Sequence, residues 1–286
     1  MRCTVADSLD EDFYTTVVKE VYERIGPDLE SELRFVVVED EEDCEKIVSE
    51  SDTEEGLLEV CEESGSSSFS VSDKSYVLIV TEDRFSKDNL KALEGLIAHE
   101  LMHSVQREEG LEDEIEDVAV SFSDTVVREL EERGVSPEDS VDFISDVMGT
   151  MIFCLKDLYV NTELVEAGFS EELASYYRLI LDTEGLVSAP EIYSNDENLG
   201  EVEEALKFVL EFLPAWIPFR RDDARGGDIE ESIRQGYEAN IPLTSDSINR
   251  ISELYLEEFG RSEEFMNKFF EKLLSLSYRV MDDKLD

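Results

Sequence analysis

The spacing of apolar residues changes along this 286-residue chain. In the first third, apolar residues form short consecutive runs, of which 33–38 and 76–81 are the clearest, and such runs predict buried strands. From Leu111 onward they recur every three or four residues, which predicts helices almost throughout. We therefore predict an α+β fold, mostly α, with a small sheet near the N-terminus and a large helical bundle-like region after it.

Local stop signals set the expected boundaries of the helices. The first helix, at 12–25, is expected to stop at Gly26, and a helix that follows the second strand is expected to end at Gly110. Further helices are predicted at 112–133, 137–160, 162–181, 199–213, 228–238, 245–259 and 262–281. The expected domains are an α/β unit at 1–110 and a helical unit at 111–286, either as two domains or as one continuous domain.

Acidic residues outnumber basic ones by 73 to 25, giving a formal net charge of −48, while 41% of residues are hydrophobic. The hydrophobic fraction is enough for a folded core, whereas the charge excludes nucleic acid and anionic membranes as partners. The longest apolar stretch, 147–155, is too short to span a bilayer. Because the acids run from Asp7 to Asp286, we expect the acidic proteome of a halophilic archaeon, and loss of structure at low salt.

Cysteine usage and the N-terminus predict the compartment. The four cysteines (Cys3, Cys44, Cys61 and Cys154) form no CxxC pair and are expected to be reduced thiols of an intracellular protein. Residues 1–7 contain no apolar signal-peptide segment. A cytoplasmic location is therefore expected.

The two histidines of the chain, His99 and His103, are four residues apart, and Glu100 follows the first. Random placement would give this arrangement in about one chain in a thousand. On a helix, the spacing puts two imidazoles on one face with a carboxylate beside them. Ala92 and Gly95 fall on the same face, where we expect small side chains to leave room above a metal ion.

The segment from His99 to His103 resembles the HExxH motif of the zincin metallopeptidases, and a strand running directly into the motif helix is also the zincin order of elements. The resemblance implies a hydrolase in which His99 and His103 bind Zn²⁺, Glu100 is the general base and a peptide or protein is the substrate. It also implies that the preceding strand lines the substrate groove. The alternative is a non-catalytic zincin-like metal-binding or helical interaction protein. No feature of the sequence sets an oligomeric state.

A catalytic zinc usually has three protein ligands, and without a third histidine the remaining ligand must be a carboxylate. The metzincin pattern would place a glycine at Gln106 and a ligand at Glu109. Without the glycine turn, Glu109 is expected to stay on the helix and point away. We favour Asp157, because it follows the most apolar helical stretch, where a carboxylate is costly unless it is paired or metal-bound.

Several alternatives to this ligand remain open. Glu116, Asp117 and Glu163 are the other candidates, and Asp157 could instead pair with a base such as Lys156. Asn161, four residues after Asp157, is expected to orient its carboxylate. Tyr176 and Tyr177 either supply a hydroxyl to the reaction or pack in the core. The apolar segment 213–219 is expected to be buried by packing.

Overall fold

The computed structural model describes residues 1–50, 66–71, 74–82, 84–133, 137–180, 210, 213–221 and 245–285. The predicted helix at 228–238, and nearly all of that at 199–213, lie outside these ranges. The chain forms two compact units. Unit 1 comprises Met1–Gly110 and Glu163–Leu179, and unit 2 comprises Leu111–Thr162 and Ile180–Asp286.

Unit 1 contains a four-stranded sheet. Its strands are β1 (Arg2–Val5), β2 (Glu32–Val38), β3 (Ser67–Val71) and β4 (Lys74–Val80), in the spatial order β1-β2-β4-β3. β1, β2 and β4 are parallel, and β3 pairs with β4 in the antiparallel direction. Residues 35–38 and 76–79 are all buried, as expected of parallel strands covered on both faces. Both predicted strands are therefore present.

Two helices follow the first two strands. In α1 (Glu11–Ile25), the Asp10 side chain accepts a hydrogen bond from the Phe13 backbone N–H and caps the N-terminus. Gly26 ends the helix in the left-handed conformation, with φ 61°, which glycine adopts without steric cost. The second helix is α2 (Glu41–Glu50). α1 also contacts the helix that carries His99 and His103, which is described next.

The motif helix, α3 (Leu90–Glu108), follows β4 after a 3₁₀ turn at Lys87–Asn89. Leu93, Ile97 and Leu101 form its fully buried stripe. α3 contacts β3, β4 and α1, so the two histidines are carried on an element anchored by both the sheet and a second helix. This anchoring limits how far the imidazoles can move.

Unit 2 contains α4 (Leu111–Glu132), most of α5 (Pro137–Glu166), a 3₁₀ segment at Ile217–Arg221, α7 (Ser245–Glu258) and α8 (Glu263–Leu285). α6 (Ser170–Ile180) belongs to unit 1 except for its last residue. The chain is thus mostly helical with a small sheet near its N-terminus, which confirms the predicted fold class.

One predicted helix break was wrong. Separate helices were predicted at 137–160 and 162–181, whereas α5 continues to Glu166. The break lies at Gly168, whose φ of 86° is left-handed, and the Phe169 N–H closes the turn on the Leu164 carbonyl. Asp157, Asn161 and Glu163 therefore share one continuous helix.

The structure also bears on the apolar segment 213–219, on membrane-spanning helices and on the cysteines. The apolar segment 213–219 is buried throughout, which confirms its role in packing. None of the helices in the described ranges combines the length and apolar character that crossing a bilayer requires. Cys3 and Cys154 are free, but Cys44 is disulfide-bonded, so the expectation of four reduced thiols was wrong for Cys44. Sequence spacing does not reveal which thiols approach each other in space.

Candidate metal centre

The two motif histidines converge on one point in space. The Nε2 atoms of His99 and His103 lie 3.2 Å apart, and the planes of their rings are inclined by 82°. Two imidazole nitrogens bound to one tetrahedral zinc would lie about 3.3 Å apart, given Zn–N bonds of about 2.05 Å. The spacing of the two nitrogens therefore fits a shared metal ion without rearrangement of α3.

Glu100 is almost completely removed from solvent. It is 7% exposed, and the adjacent His99 is 5% exposed. Glu100 follows His99 directly on α3, so its carboxylate belongs to the same turn of the helix as the first imidazole. Burial also excludes bulk water, which strengthens electrostatic interactions within the site.

Gly95 has a different role from the one expected of it. A Cβ at this position would lie 2.4 Å from the backbone carbonyl oxygen of Glu172 and 3.0 Å from the Cβ of Tyr176. The space beside Gly95 is therefore filled by α6, and the prediction that this small residue leaves room above a metal was wrong. The absence of a side chain instead allows α6 to pack closely against the motif helix.

Substitution of Gly95 is expected to separate these two helices. Gly95→Ala should destabilise the protein by about 1–3 kcal/mol, the usual cost of overpacking, because the backbone of Glu172 cannot yield as a side chain would. Gly149→Ala is the matched control, since no atom lies within 4 Å of a Cβ there, and it should be neutral or stabilising. Thermal melts of both variants would measure this, and equal effects would contradict the close-packing role.

The close approach of α6 places Tyr176 beside the motif. Its ring centroid lies 5.8 Å from that of His99, and Tyr176 is half-buried. Tyr177, the next residue, is buried, as expected of core packing. Of the two tyrosines considered from the sequence, Tyr176 is therefore the one that lies at the site.

An ion pair holds the same helix from its other side. Arg24 Nη1 lies 2.8 Å from Glu172 Oε1, and the Arg24 guanidinium lies over the Phe169 ring at 3.8 Å. Burial and then the charge of Glu172 raise the pKa of Glu94, with Arg24 opposing this shift. These contacts fix α6 against α1 and α3, so the position of Tyr176 depends on more than one interaction.

Asp157 completes a group that could hold a metal ion. His99, His103 and Asp157 each offer one ligand atom, and these atoms all lie within 4.8 Å of one another. A closed tetrahedral site needs ligand-atom separations of about 3.3 Å, so a bound metal would have to bring the three atoms closer together. Two neutral imidazoles and one carboxylate form a donor set that zinc commonly takes.

The other carboxylates considered from the sequence belong to no such group among the described residues. Glu116 Oε1 lies 2.9 Å from Lys156 Nζ, and Asp117 lines a pocket with Glu114 and Glu263. Glu163 is half-buried on α5. Glu109 is exposed at the end of α3 and retains helical backbone angles.

Asn161 and Cys154 are the described neighbours of Asp157 along α5. Asn161 is fully buried, and its side-chain amide donates a hydrogen bond to the Pro214 carbonyl at 2.8 Å. Its amide nitrogen therefore serves packing in unit 2. Burial, and then the charge of Asp157, raise the pKa of the Cys154 thiol well above its ordinary value.

Gln106 lies on the same face of α3 as the two histidines, and from the sequence it was considered only because the metzincin pattern has glycine there. Gln106 is 1% exposed, and neither atom of its amide has a hydrogen-bond partner. It lies one turn beyond His103, and helical side chains lean back towards the preceding turn. The signal available in the sequence was a polar residue three positions after His103, on the same face of the helix.

No family model, curated protein or solved structure matches the chain.

Proposed function

We propose that this protein is a zinc-dependent hydrolase that cleaves peptide bonds. The observation that carries the proposal is the 3.2 Å separation of the two histidine Nε2 atoms with the buried Glu100 beside them. We assign His99, His103 and Asp157 as the metal ligands. The identification of the metal as zinc rests on the two imidazoles and on the resemblance to HExxH zincins.

Glu100 and Tyr176 have separate roles in the proposed reaction. Zinc, when bound, supplies a Lewis acid that polarises the scissile carbonyl and acidifies a water. Glu100 accepts the proton of the attacking water and returns it to the leaving amine. The Tyr176 ring lies 5.8 Å from that of His99, and we propose that its hydroxyl donates a hydrogen bond to the developing oxyanion.

The sheet suggests where an extended substrate would bind. The resemblance implied that the strand before the motif helix lines the groove, but β4 is paired on both sides, with β2 and β3. Its backbone groups are therefore already used. Among the described strands, β3 lies at an edge of the sheet, and it contacts the motif helix, so we propose that a peptide adds to β3 by strand pairing.

The charge of the chain supports the expected partners and compartment. A net charge of −48 disfavours nucleic acid and anionic membranes, and we propose a peptide or protein substrate. The same charge underlies our proposal of a cytoplasmic location in a salt-rich cell. The disulfide of Cys44 argues against a cytoplasmic location, since such bonds are rare in most cytosols. Cell fractionation of the native host would test the proposed location.

Zinc titration of the metal-free protein tests the ligand assignment. Asp157→Asn should weaken zinc binding at least 10-fold, because it replaces an anionic ligand with a neutral one. Asp117→Asn is the matched control and should bind zinc as the wild type does, since Asp117 belongs to no metal-binding group among the described residues. Unchanged affinity in Asp157→Asn would remove Asp157 from the site.

A second candidate function is a metal that serves stability alone. It is favoured by the sequence separation of the ligands, because a metal shared by His103 and Asp157 would close a long loop of the chain. Chelation separates the two functions. A structural metal predicts a large fall in melting temperature when a chelator is added, whereas a catalytic metal predicts loss of hydrolysis with the fold mostly retained.

A further inference from the structure

Lys156, the neighbour of Asp157 on α5, is a buried cation with two anionic partners. The residue is 9% exposed, and its Nζ lies 2.9 Å from Glu116 Oε1 and 3.7 Å from Glu112 Oε2. The Glu112 side chain is 13% exposed, so this contact is also shielded from solvent. Glu112 and Glu116 are four residues apart on α4, which places both carboxylates on one face of that helix.

This ion cluster ties α5 to α4 at the residue before Asp157. A buried ammonium loses much of its hydration and depends on its carboxylate partners, so turning Lys156 away from α4 would leave a buried charge uncompensated. Side chains end about 5–6 Å from the axis of a helix. A rotation of about 20° would therefore move the Asp157 carboxylate by about 2 Å, whereas metal bonds tolerate only about 0.2 Å.

We propose that Lys156, held by Glu112 and Glu116, is a positioning residue that sets the direction of the Asp157 carboxylate and thereby the metal affinity. This role rests on the proposed function, because it requires Asp157 to be a ligand. The cluster is suited to high salt. Exposed pairs such as Lys19 and Glu23 are screened in molar salt, whereas a buried pair is screened much less.

The test is the zinc affinity of purified variants, measured by competition with a chromophoric chelator in high salt. Lys156→Met should bind zinc 10- to 100-fold more weakly, the usual effect of losing a group that orients a ligand. Lys156→Arg should recover most of the affinity because it keeps the charge. Lys268→Met is the matched control, since it removes a more exposed ion pair with Glu258 and Glu264 and should leave zinc binding unchanged.

A double-mutant cycle separates positioning from a general loss of structure. If Lys156 acts through Asp157, Lys156→Met should cause no further loss of affinity in the Asp157→Asn background. An equal further loss there would overturn the positioning role. Glu116→Gln, at a half-exposed side chain, is the milder variant if Lys156→Met fails to fold, and it should weaken zinc binding several-fold.

The cycle also separates this inference from the proposed function. Weakened binding in Asp157→Asn with wild-type affinity in Lys156→Met and Glu116→Gln would overturn the positioning role alone. Wild-type affinity in Asp157→Asn would instead overturn the ligand assignment, and the positioning role with it.

Discussion

Glu100→Gln is expected to reduce kcat/KM for peptide hydrolysis by about 10²- to 10⁴-fold, the usual contribution of a general base. Glutamine keeps the shape of the side chain and can still hydrogen-bond to water, but it cannot accept and return a proton. Glu100 is outside the proposed ligand set, so zinc content should stay at the wild-type level. The measurement is a peptide cleavage assay alongside elemental analysis of the same preparation.

Glu109→Gln is the matched control for this substitution. It makes the same chemical change at an exposed position at the end of α3, and it should leave hydrolysis unchanged. Wild-type turnover in Glu100→Gln would show that the proposed proton transfer is wrong. Loss of zinc together with activity would instead indicate that Glu100 supports the metal.

Removal of salt is expected to unfold the protein. At about 1 M salt the screening length is about 3 Å, but at about 50 mM it exceeds 10 Å, so acidic side chains repel one another across the surface. With 73 acidic and 25 basic residues, acidic side chains greatly outnumber the basic ones that could neutralise them. Dialysis from molar KCl to about 50 mM should therefore abolish most of the helical circular dichroism signal.

Sucrose at matched osmolarity is the control for water activity. It supplies no ions, so it should not replace KCl as a screening agent, although excluded solutes favour compact states in general. A sharp thermal transition and full helicity at about 50 mM KCl would contradict the halophilic interpretation. Return of the helical signal when KCl is restored would show that the unfolding is reversible.

The fold was predictable where one local signal dominates. The strands at 33–38 and 76–81 were found because buried parallel strands are continuous apolar runs. The end of α1 was found because Gly26 is suited to the left-handed conformation. The break between α5 and α6 was misplaced, because Gly168 stops the helix only after the polar residues near Asn161, and those residues are buried inside α5.

The site was predictable only as far as local spacing reaches. The separation of four residues predicted the convergence of His99 and His103, because the helix alone brings them together. The choice of Asp157 rested on the cost of a carboxylate in an apolar stretch, which indicates a partner without identifying it. The packing of Gly95 on Glu172 was missed, because it depends on a helix remote in sequence.

The most direct test of the central claim is metal analysis of protein purified in high salt, followed by X-ray absorption at the metal edge. We predict one zinc per chain, with two imidazole nitrogens at about 2.0–2.1 Å and at least one oxygen ligand. His99→Ala and His103→Ala should each lose the metal. Wild-type protein without bound zinc after zinc loading, or zinc retained by both alanine variants, would contradict a metal centre at the two histidines.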